Sequence, residues 1–225
     1  MTKTLLLSGS PRGIKSSSNS ISKYLEPLLQ EKGLEPKLIM IRSHLTSDDK
    51  FLLMLDAIEE ADILILTAPL YDDCQPYIVT KLMESIVIQQ RKVEGKLFIP
   101  IINCGFAESH HITAVAISIY HRFVSESDMK WGGSIAIGAG EGLEGKSGKQ
   151  LNELGGLANG TRNTLIKMVD ILAEGKEFSD EVIEVLPSIF RGRLLGWFFV
   201  WLNNRGWKKE AKKHGEKVDA RPYSQ

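Results

Sequence analysis

The stretch Asp62-Ile63-Leu64-Ile65-Leu66-Thr67-Ala68-Pro69 decides the fold, because it is a continuous apolar run that a proline closes. Runs of this kind are typical of parallel strands that are covered on both faces. The stretch therefore predicts an inner strand of a parallel sheet in an α/β protein.

On either side of this run, apolar strand segments alternate with segments of helical period. The predicted strands are 4–7, 36–41, 62–69, 97–104 and 134–137, and the predicted helices are 18–32, 51–60, 77–90, 113–125 and 160–173. Alternation at this spacing favours a parallel sheet wound with right-handed crossovers. A loop rich in glycine and hydroxyl groups follows the first strand, so we expect a flavodoxin-like three-layer sandwich. Its five strands would have the order 2-1-3-4-5, with the ligand beyond their carboxyl ends.

Composition and charge exclude several classes of protein. Lys and Arg number 28, as do Asp and Glu, so the formal net charge is zero. A neutral chain has no overall field that attracts nucleic acid, and no nucleic-acid partner is expected. Two cysteines are too few for a disulfide scaffold and indicate a reducing compartment. With no signal-peptide pattern at the N-terminus, we predict a soluble, cytoplasmic protein.

The loop between the first strand and the first helix, residues 8–20, is the strongest functional signal. A phosphate group needs several donors that converge on one point, and a helix N-terminus supplies free N–H groups and a positive dipole end. Hydroxyl donors and cations are available in this loop at Ser10, Ser16, Ser17, Ser18, Arg12 and Lys15. The alternative is a polar capping loop, in which Ser17 or Ser18 is a simple N-cap.

Three short loops together resemble the flavodoxin-like NAD(P)H-dependent FMN reductase and quinone reductase families. They are Gly9-Ser10-Pro11-Arg12 with the following serines, Ala68-Pro69-Leu70-Tyr71, and Asn103-Cys104-Gly105-Phe106-Ala107-Glu108. The resemblance implies that the FMN phosphate is held by Ser10, Arg12, Ser16, Ser17 and Ser18. It also implies that one side of the isoalloxazine ring is bordered by Pro69, Leu70, Tyr71 and Asp72, and the other by Cys104, Gly105 and Phe106.

The residue types in the second and third loops suit a flavin ring. Pro69-Leu70-Tyr71 offers an apolar wall with backbone amides, and Gly105 allows a close backbone approach. The alternative for Tyr71 is a core or turn aromatic. Asp72-Asp73 departs from the pattern of these families, since a carboxylate disfavours an anionic reduced flavin. We therefore expect Asp72 to bind the ring through its backbone, with its carboxylate in solvent.

The resemblance implies an FMN-dependent NAD(P)H oxidoreductase that passes electrons to a small acceptor such as a quinone or a flavin. NADPH or NADH would be the cosubstrate, and no catalytic side chain is needed because FMN carries the chemistry. The alternative is a flavin-binding electron-transfer protein without its own nicotinamide site. These families commonly form dimers, so a homodimer is expected.

Two further patterns were weighed against this function. Residues 140–147, Gly-Glu-Gly-Leu-Glu-Gly-Lys-Ser, match the P-loop pattern. Glu141 and Glu144 would repel a phosphate, and the loop follows the last strand, so a flap near the flavin is favoured over a nucleotide hydrolase. His111 and His121 do not share a helical face, and no metal site is predicted.

The C-terminal part, residues 187–225, is predicted as a separate aromatic and basic helical extension of a flavodoxin-like FMN-binding domain, residues 1–186. Its apolar residues go nearly round the helix. This favours burial of Trp197, Phe198 and Trp201 between protein surfaces over contact with a membrane surface. Membrane association is therefore not expected.

Overall fold

The computed structural model describes residues 2–105, 112–143, 150–179, 181–185 and 193–217. The strands are β1 (Thr2–Ser8), β2 (Leu34–Met40), β3 (Ile63–Pro69), β4 (Leu97–Asn103), β5 (Lys130–Trp131), β6 (Ser134–Ile137) and β7 (Val182–Val185). The helices are α1 (Ser17–Glu31), α2 (Ile41–His44), α3 (Asp48–Glu60), α4 (Tyr77–Ile88), α5 (Ile117–Glu126), α6 (Asn159–Ala173) and α7 (Arg193–Lys213).

The strands form one parallel sheet in the order β2-β1-β3-β4-β6-β7, and β5 also pairs with β4. The predicted order 2-1-3-4 is confirmed, and the run at residues 62–69 supplies the inner strand β3. In the part of the chain that the structure describes, the sheet has seven strands and not the five that were predicted.

Two local features account for the additional strands. The predicted fifth strand, 134–137, is β6, and Gly132 and Gly133, the latter with a φ of +96°, separate it from the additional short strand β5. A Cβ atom on Gly133 would lie 2.5 Å from the carbonyl oxygen of Ser179, so this break is where another segment crosses the strand. The edge strand β7 has only four residues, too few to show a period in the sequence.

Helices cover both faces of the sheet. Successive residues of β1 point to opposite faces of the sheet. Leu6 packs in the core under α1 and α6, and Leu7 packs in the core under α3, α4 and α5. Ile63 through Ala68 are buried without interruption. The sandwich therefore leaves the ends of the strands as the place where loops can form a site.

The chain divides into two compact units, Met1–Pro187 and Ser188–Gln225. In the second unit, the Arg205 guanidinium lies 5.5 Å from the centre of the Trp201 ring, and Trp207 is 68% exposed. The side chains of Trp197 and Phe198 lie outside the part that the structure describes. No helix among the described residues combines the length and apolar character needed to cross a bilayer.

Candidate functional site

Three loops meet at the carboxyl ends of β1, β3 and β4. The Gly9 N–H donates to the carbonyl of Thr67 at 2.8 Å, and the Leu70 N–H donates to the carbonyl of Asn103 at 2.8 Å. A Cβ atom on Gly9 would lie 2.6 Å from Val79, so glycine is needed where the first loop meets α4. The loops that sequence reasoning selected are therefore neighbours at one edge of the sheet.

Ser16 is the N-cap of α1. Its Oγ accepts from the Asn19 N–H at 3.1 Å and donates to the carbonyl of Gly13 at 2.7 Å. The Ser16 backbone is extended, with φ −121° and ψ 152°. The N-cap is therefore Ser16 and not Ser17 or Ser18, which are the first two residues of the helix.

The next two serines join α1 to other segments. The Ser17 hydroxyl donates to the carbonyl of Gly140 at 2.7 Å. Ser18 Oγ accepts from Nδ2 of Asn103 at 3.0 Å. Ser18 is fully buried and only accepts in this bond, whereas the hydroxyl hydrogen of Ser17 is used on Gly140.

Further along α1, two more serines make similar bonds. Ser20 Oγ accepts from the Leu151 N–H at 2.8 Å, and Ser22 Oγ lies 2.7 Å from Thr67 Oγ1. Hydroxyls from Ser17 to Ser22 thus attach the amino-terminal half of α1 to segments on both sides of it.

The donors that remain at the start of α1 favour an anion. Ser10 Oγ accepts from the Arg12 N–H at 3.3 Å, which leaves the Ser10 hydroxyl hydrogen for a ligand. The first N–H groups of a helix have no intrahelical acceptor, and the first turn of α1 contains no acidic residue. The exposed side chains of Arg12 and Lys15 add positive charge beside this turn.

The second loop is a tight hairpin turn. Tyr71 and Cys74 exchange two backbone hydrogen bonds, of 2.8 and 3.0 Å. Asp72 and Asp73 between them have φ values of 47° and 63°, which is the pattern of a type I′ turn. Aspartate tolerates this left-handed region better than most residues, which explains the Asp-Asp pair that departs from the families' pattern. The Asp72 side chain is exposed.

Tyr71 opens this turn and is 45% exposed, so it belongs to the turn and not to the core. Leu70 before it is half-buried and packs against the core beneath α4 and α5. Together they form an apolar ledge, residues 70–71, at the end of β3.

The third loop begins with a buried Cys104 and an exposed Gly105, while Phe106 lies outside the described residues. The Cys104 carbonyl accepts from the Gly140 N–H at 2.6 Å. A Cβ atom on Gly140 would lie 2.7 Å from that of Asn103, so glycine is needed at this contact. The segment after β6 is therefore fixed to the same site.

This contact also bears on the P-loop match at residues 140–147. A P-loop presents backbone N–H groups to phosphates. Gly140 uses its N–H on Cys104 and turns its carbonyl oxygen towards Ser17. The beginning of the motif is thus a structural partner of α1, and residues 144–149 lie outside the described part.

Sequence reasoning did not assign a role to two polar side chains of this region. Asn103, which is 6% exposed, donates through Nδ2 to Ser18 Oγ and to the Ala68 carbonyl, each at 3.0 Å. The sequence feature that could have revealed Asn103 is its position, because it is a polar amide at the end of the apolar strand β4. Gln75 follows the hairpin turn, and its Oε1 is buried without a partner among the described residues.

The histidines were weighed as metal ligands, and of that group the structure describes His121. The rings of His121 and Trp131 stack with their centres 3.8 Å apart. His110 and His111 lie outside the described residues. Within the described ranges, no group of three His, Cys, Asp or Glu side chains is placed to hold a metal ion.

The arrangement fits a planar cofactor that carries a phosphate. Ser10, Ser18 and the free N–H groups at the start of α1 belong to one end of the site, and Arg12 lies in the same loop. The Leu70-Tyr71 ledge and the backbone at Gly105 border the other end. FMN has this form. The sheet order and the position of the site together define a flavodoxin-like α/β protein.

Comparisons with known proteins agree with this class. No protein-family model and no curated protein matches the chain by sequence. The apo form of an NADH:FMN oxidoreductase, EmoB, is 13% identical over 80% of this chain and 92% of that chain, with a TM-score of 0.60. RosB with bound 8-demethyl-8-formylriboflavin-5′-phosphate is 14% identical over 80% of this chain and 83% of that chain, with a TM-score of 0.55. A WrbA-like flavodoxin from Agrobacterium tumefaciens is 13% identical over 78% of this chain and 99% of that chain, with a TM-score of 0.51. These likenesses establish the flavodoxin-like fold that the three loops predicted.

Proposed function

We propose that the chain is an FMN-dependent NAD(P)H oxidoreductase that passes electrons to a small acceptor such as a quinone or a flavin. The observation that supports it most is the joining of the three loops by Asn103. Its amide connects the start of α1, where a phosphate would bind, with the end of β3, where the ring would lie.

FMN, when bound, would supply the hydride chemistry, and the side chains would bind, orient and exclude water. Ser10, Ser18 and the first N–H groups of α1 would hold the phosphate, with Arg12 balancing its charge. Hydrogen bonds to charged groups contribute about 1.5–3 kcal/mol each, so three or four suffice to retain a cofactor tail. Pro69, Leu70 and Tyr71 would cover one edge of the ring, and Cys104 and Gly105 another.

The structural neighbours support this choice of activity. One is named as an NADH:FMN oxidoreductase, and another was solved with a flavin 5′-phosphate derivative bound. Their named chemistry uses a flavin, and the donors at the start of α1 fit the phosphate of such a group.

We also propose that the protein is a homodimer. A groove of about 590 Å³ lies between α4 and α5 and is mostly apolar, with Met83, Val87, Val115, Ile119 and Phe123 among its lining residues. Ile88 at its edge is 79% exposed. A second copy of the chain would bury this surface through a two-fold interface, in which the same patch serves both subunits. Arg122 also lines the groove and forms an ion pair with Glu126 of the same helix.

The test is an absorption spectrum of the purified protein, followed by anaerobic addition of NADPH or NADH. A flavin spectrum that either nicotinamide bleaches is the expected result. A flavin spectrum that neither bleaches would identify the electron-transfer alternative, and failure to take up added FMN would refute both.

A matched pair of variants locates the cofactor. Arg12→Glu combined with Ser18→Ala should weaken FMN retention, whereas Lys50→Glu, at an exposed position on α3, should leave it unchanged. Equal retention in both variants would contradict the proposed phosphate site.

A further inference from the structure

A second cavity lies on the other side of the first loop. It has a volume of about 380 Å³ and is enclosed by the turn at residues 12–15 and by the segment from Met40 to Thr46, which follows β2. It therefore opens at the carboxyl ends of β1 and β2, beside the proposed phosphate site. None of the residues assigned to the flavin ring lines it.

The cavity is strongly basic in a chain of zero net charge. Arg12, Lys15 and Arg42 line it, and none of the described lining residues is acidic. No ion pair joins Lys15 or Arg42 to an acidic residue within the described ranges. Lys15 and Arg42 repel each other on this small surface unless an anion is bound between them, so the cavity favours a negatively charged group.

Gly13 allows the side chain of Arg42 to lie close to the backbone of the first loop. Gly13 has a φ of +64°, and a Cβ atom there would lie 3.7 Å from Nη1 of Arg42. The Arg42 guanidinium thus lies against the backbone of the loop that leads into α1. Arginine binds phosphate through a planar fork of N–H donors, which gives it both affinity and geometric selectivity.

Apolar surface accompanies the charge. Ile14, which is 61% exposed, and Met40 also line the cavity. A phosphate attached to a nucleoside would satisfy both parts, with its charge on the guanidinium groups and its base on these side chains. The cavity is therefore suited to a nucleotide and not only to an inorganic ion.

Arg42 also bears on the choice of nucleotide. NADPH differs from NADH by a phosphate on the 2′-oxygen of the adenosine ribose, and dinucleotide-binding proteins commonly accommodate this phosphate with an arginine. Arg42 is the second residue after β2, and no acidic side chain stands between Met40 and Thr46.

We propose that this cavity binds the 2′-phosphate of NADPH and makes the protein selective for NADPH over NADH. The inference rests on the proposed function, since it names the nicotinamide that this function uses. Arg42 and Lys15 hold the 2′-phosphate, and Arg12 lies between this group and the flavin phosphate.

The first experiment uses fragments of the cosubstrate and needs no turnover. Calorimetry of the FMN-loaded protein should show that adenosine 2′,5′-bisphosphate binds at least about tenfold more tightly than 5′-AMP, as expected for one charged hydrogen-bonded contact. Arg42→Ala should abolish this difference, and Lys50→Ala, which removes one positive charge outside the cavity, should preserve it.

The second experiment measures kcat/KM with each nicotinamide. In Arg42→Ala, the value for NADPH should fall about tenfold to hundredfold more than the value for NADH. Arg42→Lys should retain part of the preference, because the charge remains but the planar fork is lost.

Three results would overturn the inference. They are equal binding of the two fragments by the wild type, an unchanged preference in Arg42→Ala, and loss of FMN itself from Arg42→Ala, which would assign the cavity to the flavin phosphate. Selective binding of the bisphosphate without bleaching of the flavin by NADPH would instead refute the proposed function and leave the nucleotide site standing.

Discussion

Asn103 donates its side-chain amide to Ser18 Oγ at 3.0 Å, although 85 positions separate the two residues. The same nitrogen donates to the carbonyl of Ala68 at 3.0 Å. One buried amide therefore sets the distance between the start of α1 and the ends of β3 and β4. Ser18 and Ala68 are fully buried, so the contact fixes the geometry of the candidate site.

Asn103→Ala should lower the free energy of unfolding by about 1–3 kcal/mol, since it removes two buried hydrogen bonds of the side-chain amide, to Ser18 Oγ and to the Ala68 carbonyl. It should also weaken FMN binding, because Ser18 loses the bond that positions it. Urea unfolding of the FMN-free protein and a fluorescence titration with FMN measure the two effects. Asn152→Ala, at an exposed position, should change neither, and an unaltered Asn103→Ala protein would disprove the assigned role.

Gly140→Ala should destabilise the protein by about 1–3 kcal/mol, because the new methyl group would lie 2.7 Å from Cβ of Asn103. The chain after β6 would have to move away from Ser17, so FMN affinity should fall as well. Gly155→Ala is the matched control, since a Cβ atom there meets nothing within 4 Å. Equal melting temperatures of the two variants would contradict the close contact at Gly140.

Asp72→Asn should leave FMN affinity and the flavin midpoint potential unchanged. The Asp72 carboxylate is exposed, and asparagine tolerates the same left-handed backbone at φ 47°. A large shift in potential would show that the carboxylate faces the flavin.

Complete burial raises the pKa of the Tyr120 phenol above its ordinary value of 10.0, and the nearby Cys74 adds to the effect. The folded protein therefore keeps this proton when the unfolded chain releases it. Stability linked to Tyr120 is fully present below about pH 10 and falls as the pH rises above it, by up to about 1.4 kcal/mol per pH unit.

Tyr120→Phe removes this dependence, and it should be close to neutral at about pH 8 because the hydroxyl has no hydrogen-bond partner among the described residues. Urea unfolding at about pH 8 and about pH 11 measures the difference. Parallel losses of stability in the wild type and the variant would show that the phenol is not protected by burial.

Ile88→Lys should convert the proposed dimer into a monomer, because it places a charge at the edge of the apolar groove between α4 and α5. Sedimentation equilibrium measures the mass directly. Leu53→Lys is the control, since Leu53 is 64% exposed on α3 and does not line the groove. A wild type that is monomeric at all concentrations would refute the dimer.

The sequence predicted those parts of the structure in which burial alone determines the residue types. The strand at residues 62–69 is buried on both faces, so its run of apolar residues has no interruption. Strand β7 was not predicted. It has only four residues, one of them the exposed Glu184, and four residues are too few to show a strand period.

In the candidate site, too, the sequence predicted the residue types, and only the structure shows their contacts. Ser16, Ser17 and Ser18 are equally good N-caps by residue type, and only the extended backbone of Ser16 decides between them. The contact of Ser17 with Gly140 depends on how distant segments pack, and no local pattern announces it. Which serine hydroxyls remain for a ligand could therefore be learned only from the structure.

Four serine hydroxyls along the first half of α1 bond to other segments. Two of these segments lie between β6 and α6, and the other two are the strands β3 and β4. The helix cannot slide along its axis or rotate without breaking all four bonds at once. Whatever opens to admit a substrate must consequently be the surrounding segments, with the helix as the stationary part. A ligand that docks on a stationary frame spends little of its binding energy on reorganising the protein.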